Sequence, residues 1–155
     1  MLTDSSAPNK INRYKVIAAI LAVAALIGFR AIAIDPHDKG DVAYLAENYT
    51  EVYKVWKPLA EKGYARGQYD VGLLYANGYG MPQDNVTAAY WYRKSAEQGN
   101  SDAQRNLGLM YAKGEGVGKN YGRASEWFKK AAEQGNAEAQ KYLDEMAEKG
   151  LISAT

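Results

Sequence analysis

Two adjacent stretches, residues 65–100 and 101–136, carry the same pattern of amino acids in the same order. Each copy is about 36 residues long, which is a period typical of stacked repeat proteins. The copies share several pairs of residues in register, among them Gly72/Gly108, Tyr75/Tyr111, Trp91/Trp127, Gly99/Gly135 and Asn100/Asn136. Because repeats of this length stack on their neighbours, the chain is predicted to present an extended surface to partners.

Weaker copies of the pattern flank the two full ones. Ala139 and Leu143 fall one period after Ala103 and Leu107, and Trp56 falls one period before Tyr92. We therefore predict a repeat domain over residues 41–150. It consists of a degenerate unit at 41–64, the full copies at 65–100 and 101–136, and a partial cap at 137–150. A linker at 35–40 precedes this domain and a tail at 151–155 comes after it.

Apolar residues recur at helical spacing within each copy. In the second copy, one stripe consists of Ala103, Leu107, Met110 and Tyr111, and the other of Ala124, Trp127, Phe128, Ala131 and Ala132. Both stripes follow the period of an amphipathic helix, and no strand-like alternation is present. Gly72 and Gly108 would let paired helices approach closely. The pattern predicts an all-α fold of helical hairpins, with Trp91 and Trp127 in its core.

Cap and turn residues mark the ends of the predicted helices. A glycine follows each of three helical runs: Gly63, Gly99 and Gly135. We expect a left-handed backbone there. Asn100 or Ser101 should cap the next helix, with Gln104 placed to reach back to the cap. Pro58 lies within an early helical run, so we expect a bent or interrupted first hairpin.

These spaced residues resemble the Sel1-like repeat, a relative of the tetratricopeptide repeat. The resemblance covers roughly residues 41–150. It is carried by Ala103-Gln104-x-x-Leu107-Gly108-x-x-Tyr111, followed by Ala124-x-x-Trp127-x-x-Lys130-Ala131-Ala132. It implies a helical-hairpin solenoid with a right-handed superhelix that acts as an adaptor in macromolecular assemblies. Some exported bacterial members carry paired cysteines, but this chain has none, so no activity of that subgroup is carried over.

A basic tail at 1–15 and an apolar segment at 16–34 precede the repeats. Three basic residues lie before the apolar segment, namely Lys10, Arg13 and Lys15. The segment approaches the ~20 residues that span a bilayer, which favours a single-pass anchor with a cytoplasmic N-terminus and the repeats outside the cytoplasm. Alternatively, it is a secretory signal cleaved near Ala33, within the small-x-small sequence Ala31-Ile32-Ala33, which would release the repeats into the periplasm.

Charge and residue types argue against several classes of function. The net charge is +1, and the basic residues of the first 34 positions leave the remainder slightly acidic, so no nucleic-acid partner is predicted. His37 is the single histidine, beside Asp35 and Asp38, and we interpret it as a solvated linker residue. The glycines at 78–80 and 114–118 lack Walker spacing and are interpreted as turns. We predict no catalytic, cofactor-binding or metal-binding residues, and hence no enzyme.

A groove is the candidate binding surface. In a tetratricopeptide-like arrangement the first helix of each pair lines the concave side. The candidate groove residues are Tyr69, Leu73, Asn77, Asp102, Arg105, Leu109, Lys113 and Lys141. Helical geometry separates them from the core row of Leu107 and Tyr111. Leu73 and Leu109 are either exposed contacts or packing between neighbouring repeats, and the sequence leaves both open.

The predicted function is that of a non-enzymatic adaptor for a protein or peptide, displayed at the cell envelope by a single membrane span. The alternative is a cleaved, soluble periplasmic repeat protein that modulates a cell-wall or other envelope enzyme. The identity of the partner, the oligomeric state and the face that binds do not follow from the sequence.

Overall fold

The computed structural model describes residues 35–152, which form seven α-helices and no strands. The helices are α1 Pro36–Leu45, α2 Tyr49–Glu61, α3 Ala65–Asn77, α4 Asn85–Glu97, α5 Ser101–Lys113, α6 Tyr121–Glu133 and α7 Ala137–Glu148. The all-α prediction is confirmed for this part of the chain. The predicted segments 1–15 and 16–34, and the last three tail residues, lie outside it. Within residues 35–152 no helix has the length and apolar character needed to cross a bilayer.

The chain divides into two compact units, one ending at Val55 and the other beginning at Trp56. In the first, the predicted linker at 35–40 is wrong, because α1 begins at Pro36. The Asp35 carboxylate accepts a hydrogen bond from the His37 backbone N–H at 2.9 Å. A capping carboxylate followed by proline in the first turn is a strong start for a helix.

His37 is also not the solvated residue that its sequence position suggested. It is 8% exposed, and its Nδ1 lies 3.3 Å from the Asp41 carboxylate one helical turn later. The helix creates this pairing, because residues four apart share a face. No group of three or more His, Cys, Asp or Glu side chains within residues 35–152 is arranged to hold a metal ion.

Pro58 does not interrupt helix α2, so the interruption named as one of the two predicted outcomes is wrong. Helix α2 continues through it from Tyr49 to Glu61. Proline removes a single backbone donor from the helix. The ring is exposed to solvent, and the Pro58 carbonyl still accepts a hydrogen bond from the Lys62 N–H at 3.1 Å.

In the second unit, α3 pairs with α4 and α5 with α6, and each of the helices from α3 to α7 packs against the next. The hairpins close tightly where glycines meet aromatic rings. A methyl group at Gly72 would lie 2.7 Å from the Tyr92 ring, and one at Gly108 would lie 2.7 Å from the Phe128 ring. The expected close approach of paired helices is confirmed, and these glycines are needed for it.

The core follows the predicted stripes except at Trp127 and Ala132, which are only partly buried. Leu107 and Phe128 are fully buried, and Tyr111 and Trp91 are 5% and 8% exposed. Trp127 is only partly buried, so its predicted core position is wrong. The Lys130 ammonium lies 4.4 Å from its ring centroid, which is a cation–π contact at the surface.

The predicted turns and caps are largely confirmed. Gly99 has a left-handed backbone with φ of 92°, and the other two predicted glycines match it. The Asn100 side chain accepts from the Ala103 N–H at 2.9 Å, so Asn100 is the cap. Gln104 does not reach back to this cap. Its amide donates to the Ala96 carbonyl at 3.0 Å and accepts from the Gln134 amide at 2.7 Å.

The glutamine contact is repeated in register one copy earlier. Gln68 donates to the Ala60 carbonyl at 3.3 Å and accepts from Gln98 at 2.7 Å. Gln68 and Gln104 are both 4% exposed. The buried bond that each glutamine donates ties the end of one hairpin to the start of the next. The bond that it accepts joins the two ends of its own hairpin.

Candidate partner-binding cleft

An open cleft of about 360 Å³ lies along α3 and α5. It is lined by Tyr69, Leu73, Ala76, Asn77, Gln83, Asn85, Tyr92, Arg105, Asn106, Leu109, Met110, Lys113 and Glu115. The first helices of the two full copies supply most of these residues. The loop after α3, the start of α4 and the end of α5 close the rest of the rim.

The structure brings most of the predicted groove residues together. Those that line the cleft are Tyr69, Leu73, Asn77, Arg105, Leu109 and Lys113. Asp102 does not line it but lies beside it, with a carboxylate oxygen 3.9 Å from Arg105 Nη2. Lys141 belongs to α7, is largely exposed and pairs with Glu145 at 3.9 Å. The cleft is therefore shorter than the predicted groove and ends before α7.

Apolar side chains form part of the cleft. Leu73 and Leu109 are half-buried, and Leu109 also packs against the core. The Tyr69 and Tyr92 rings lie 5.8 Å apart between centroids. Leu109 thus combines the two alternatives left open by the sequence, because it packs against the core and still borders the cleft.

The tyrosine hydroxyls of the cleft stay protonated well above neutral pH. Burial raises the pKa of Tyr69, the Asp102 carboxylate raises it further, and Arg105 opposes the rise. Burial is also the main cause of the strongly raised pKa of Tyr92. Both phenols are therefore neutral hydrogen-bonding groups at the cleft wall.

Amide side chains supply further polar contacts. Asn77 donates to the Leu73 carbonyl at 2.9 Å, and Gln83 donates to the Ala76 carbonyl at 2.8 Å. An amide carries two donor hydrogens and an acceptor oxygen, so these groups keep further capacity to bond a polypeptide backbone. Asn106 adds a third amide to the lining.

The charged residues of the cleft have partners within the chain. Arg105 Nη1 lies 3.0 Å from the Glu138 carboxylate of the following repeat. Lys113 Nζ lies 3.9 Å from Glu115. The cleft is consequently not a strongly charged surface, and Arg105 joins α5 to α7 as well as bordering the cleft.

Sequence reasoning missed several lining residues for identifiable reasons. Tyr92 lies on the second helix of its hairpin, in a stripe that reads as core. Gln83 and Asn85 come from the loop after α3 and the first turn of α4, and their positions depend on how the chain turns. Asn106 comes directly after Arg105, and its angular position on α5 placed it between the two predicted rows.

Comparison with known protein families decides what these units are. Residues 65–100 and 101–136 each match the family model of the Sel1 repeat. These two segments are Sel1 repeats. Their bounds are those of the two full copies, and the helical-repeat solenoid that they build agrees with the fold of known Sel1-like structures.

Solved structures of Sel1-like proteins share this architecture. A Sel1 repeat protein from Oxalobacter formigenes is 36% identical, with a TM-score of 0.68, over 72% of this chain and 46% of that one. A protective antigen of uropathogenic Escherichia coli that displays an SLR fold is 33% identical, with a TM-score of 0.70, over 75% of this chain and 26% of that one. Cysteine rich protein B of Helicobacter pylori is 26% identical, with a TM-score of 0.58, over 61% and 71%.

The chain spans about half the length of the Oxalobacter protein and about a quarter of the Escherichia coli antigen. No curated protein matches it at a significant level. The similarity therefore extends over only part of each of these two solved proteins.

Proposed function

We propose that the protein is a non-enzymatic adaptor that holds a segment of a partner protein in the cleft along α3 and α5. Sel1-like repeat proteins generally mediate protein–protein interactions. The cleft, which combines half-buried leucines with amide side chains, is the observation that carries the proposal. Its open shape suits an extended peptide rather than an enclosed small molecule.

The contacts suggest how such a segment binds. Apolar side chains of the partner would cover Leu73 and Leu109 and remove their remaining surface from water. The amides of Asn77 and Asn106 would exchange hydrogen bonds with the partner's backbone. Because Arg105 and Lys113 already pair with Glu138 and Glu115, charge would contribute less than apolar and amide contacts.

Site-specific photocrosslinking in the full chain tests this proposal. A crosslinking residue at Asn77 or Lys113 lies in the cleft at an exposed position that tolerates substitution. One at Tyr90, which is 48% exposed on α4, serves as the control outside the cleft. We expect the same partner to be captured from both cleft positions and not from Tyr90. Capture from Tyr90 alone would place the binding surface elsewhere.

We further propose that the repeats are displayed at the cell envelope by a membrane span at residues 16–34. The length and apolar character of that segment and its basic N-terminal flank support this. In the alternative, cleavage near Ala33 releases a periplasmic protein that modulates a cell-wall or other envelope enzyme. Fractionation with a reporter fused at Thr155 separates these outcomes. A membrane-bound, externally placed reporter supports the anchor, a mature N-terminus at Ile34 supports cleavage, and a cytoplasmic product contradicts both.

A further inference from the structure

Two arginines converge on one tyrosine hydroxyl at the junction of the two Sel1 repeats. Arg93 Nη2 of α4 lies 3.0 Å from the Tyr111 hydroxyl oxygen, and Arg123 Nη1 of α6 lies 3.3 Å from it. The Arg123 guanidinium carbon is also 5.6 Å from the Tyr111 ring centroid. None of the three residues lines the cleft, so this arginine–tyrosine cluster is a separate feature of the surface.

The arginine–tyrosine cluster carries positive charge that no carboxylate within residues 35–152 neutralises through an ion pair. Arg93 and Arg123 form no ion pair with a carboxylate anywhere in residues 35–152. Arg66 and Arg105, the other arginines of that range, lie 3.9 Å from Asp70 and 3.0 Å from Glu138. Two guanidinium groups held at one oxygen repel each other, and a bound anion would relieve that repulsion.

The hydrogen bonds of the arginine–tyrosine cluster leave donors available. The Tyr111 oxygen accepts from both arginines, so its own hydrogen remains free to donate. Each guanidinium has five N–H groups, of which one is used here. Burial opposes ionisation of Tyr111, but the hydrogen bonds and charges of Arg123 and Arg93 outweigh it and lower the pKa of the phenol. The chain thus stabilises negative charge at this place.

We propose that Arg93, Arg123 and Tyr111 bind the dianion of a phosphate monoester. Such a group carries close to two negative charges at neutral pH and three acceptor oxygens. These match two guanidinium charges and donors from three side chains. A carboxylate offers one charge and two oxygens, and a single arginine fork is enough for it.

The neighbouring copies do not repeat the arginine–tyrosine cluster. One period before Arg93 and Arg123 stand Lys57 and Thr87, and Lys57 pairs with Glu61 at 2.9 Å. One period after Arg93 stands Lys129, which is exposed on α6. In the part of the chain that the structure describes, a pair of arginines therefore meets a tyrosine hydroxyl only at the junction of the two full repeats. Lys129 offers a control in the same helix register.

Titration of the isotope-labelled full chain with sodium phosphate, at constant ionic strength kept with sodium chloride, tests the site by NMR. The side-chain Nε–H signals of Arg93 and Arg123 should shift together and saturate with one dissociation constant. R93Q and R123Q should each weaken binding about tenfold, the loss expected for one hydrogen bond to a charged group. K129Q should leave binding unchanged, and Y111F should weaken it less than either arginine variant.

Two further titrations define the ligand. Sodium acetate at matched ionic strength should bind more weakly than phosphate, and equal binding would overturn the preference for a dianion. Vesicles containing phosphatidic acid separate a lipid phosphate from free phosphate. Retention of the chain by these vesicles that is lost in R93Q, but kept in K129Q, assigns the phosphate to a lipid. Shifts that grow linearly without saturation, or that persist in both arginine variants, would contradict the site.

Discussion

The two Sel1 repeats are built on one framework and differ at a few positions. In both, a buried glutamine on the first helix donates a hydrogen bond to a carbonyl of the preceding hairpin, from Gln68 to Ala60 at 3.3 Å and from Gln104 to Ala96 at 3.0 Å. In both, a glycine on the first helix meets an aromatic ring on the second. Positions that the copies share thus hold the solenoid together.

At a few positions the two copies carry different residues, and these give each repeat a different surface. Tyr92 of the first copy borders the cleft, whereas its counterpart Phe128 is fully buried and stacks on Tyr142 at 5.2 Å. Tyr111 meets two arginines, whereas the positions around Tyr75 hold Lys57 and Thr87. Residues in equivalent positions of the two copies thus build the fold, whereas the residues that differ give each repeat its own surface.

The tryptophan pair provides the largest expected difference between the copies. Trp91→Ala should lower the free energy of unfolding by about 3–5 kcal/mol, because the ring is buried. Trp127→Ala should cost about half as much, because that ring is only partly buried. Chemical denaturation of both variants measures this. Equal losses would show that the two copies bury their tryptophans to the same extent.

The glutamine contacts should instead be equivalent. Gln68→Ala and Gln104→Ala should each cost about 1–3 kcal/mol, because each removes the two hydrogen bonds made by a buried amide. Gln140→Ala is the control at the same register in α7, where the side chain is exposed and should change stability by less than about 0.5 kcal/mol. Thermal melts measure the loss of stability in each variant. A loss in only one of the two repeats would contradict the claim that the two glutamines are equivalent.

A smaller effect is expected at the turn between the two repeats. Gly99→Ala should cost about 1 kcal/mol, because a side chain is disfavoured at a positive φ. The added methyl group meets nothing within 4 Å, so the cost is that of the backbone alone. Gly118→Ala also meets nothing within 4 Å but lacks the positive φ, and it should leave the melting temperature unchanged. Equal melting temperatures for the two variants would contradict this account.

The smallest expected effect on stability comes from ionisation of the tyrosines, which alkaline titration can tell apart. Tyr111 should ionise below its ordinary value of 10.0, whereas burial delays Tyr69 and Tyr92 to higher pH. The Tyr111 contribution to stability therefore appears as pH rises through the window below 10. The contributions of the other two are present below 10 and are lost above it. Ultraviolet absorbance follows the ionisation, and Tyr111→Phe should remove the earliest phase.

The sequence predicted most of the features that repetition determines. Residues such as Leu107 and Gly99 recur in register and have the burial and backbone that their period implies. Contacts between hairpins were harder to predict, because Gln104 is suited both to a local cap and to the Ala96 carbonyl of the preceding hairpin, and it bonds the second at 3.0 Å. Trp127 shares its register with Trp91 and yet is only partly buried, a difference that the repeat pattern does not encode.

The sequence predicted the rows of helix residues that line the cleft, but it did not predict the residues that close its ends. Tyr69, Leu73 and Leu109 follow from angular position on α3 and α5. Gln83 and Asn85 enter the cleft through the path of a loop, which helical periodicity does not encode. The burial of His37 was likewise not predicted, because helix α1 begins at Pro36, inside the segment that was interpreted as a linker.

The affinity for the partner captured by crosslinking, measured in leucine variants, tests the central claim most directly. Leu73→Ala and Leu109→Ala remove cleft surface from each repeat in turn, and Val86→Ala removes a side chain that is 67% exposed and does not line the cleft. Each leucine variant should weaken binding about tenfold while it remains folded at the measuring temperature, since removing the rest of a half-buried leucine from water contributes about 1–1.5 kcal/mol. Val86→Ala should bind like the parent chain. Unchanged affinity in both leucine variants, with the fold verified by circular dichroism, would contradict the assignment of the cleft as the binding surface.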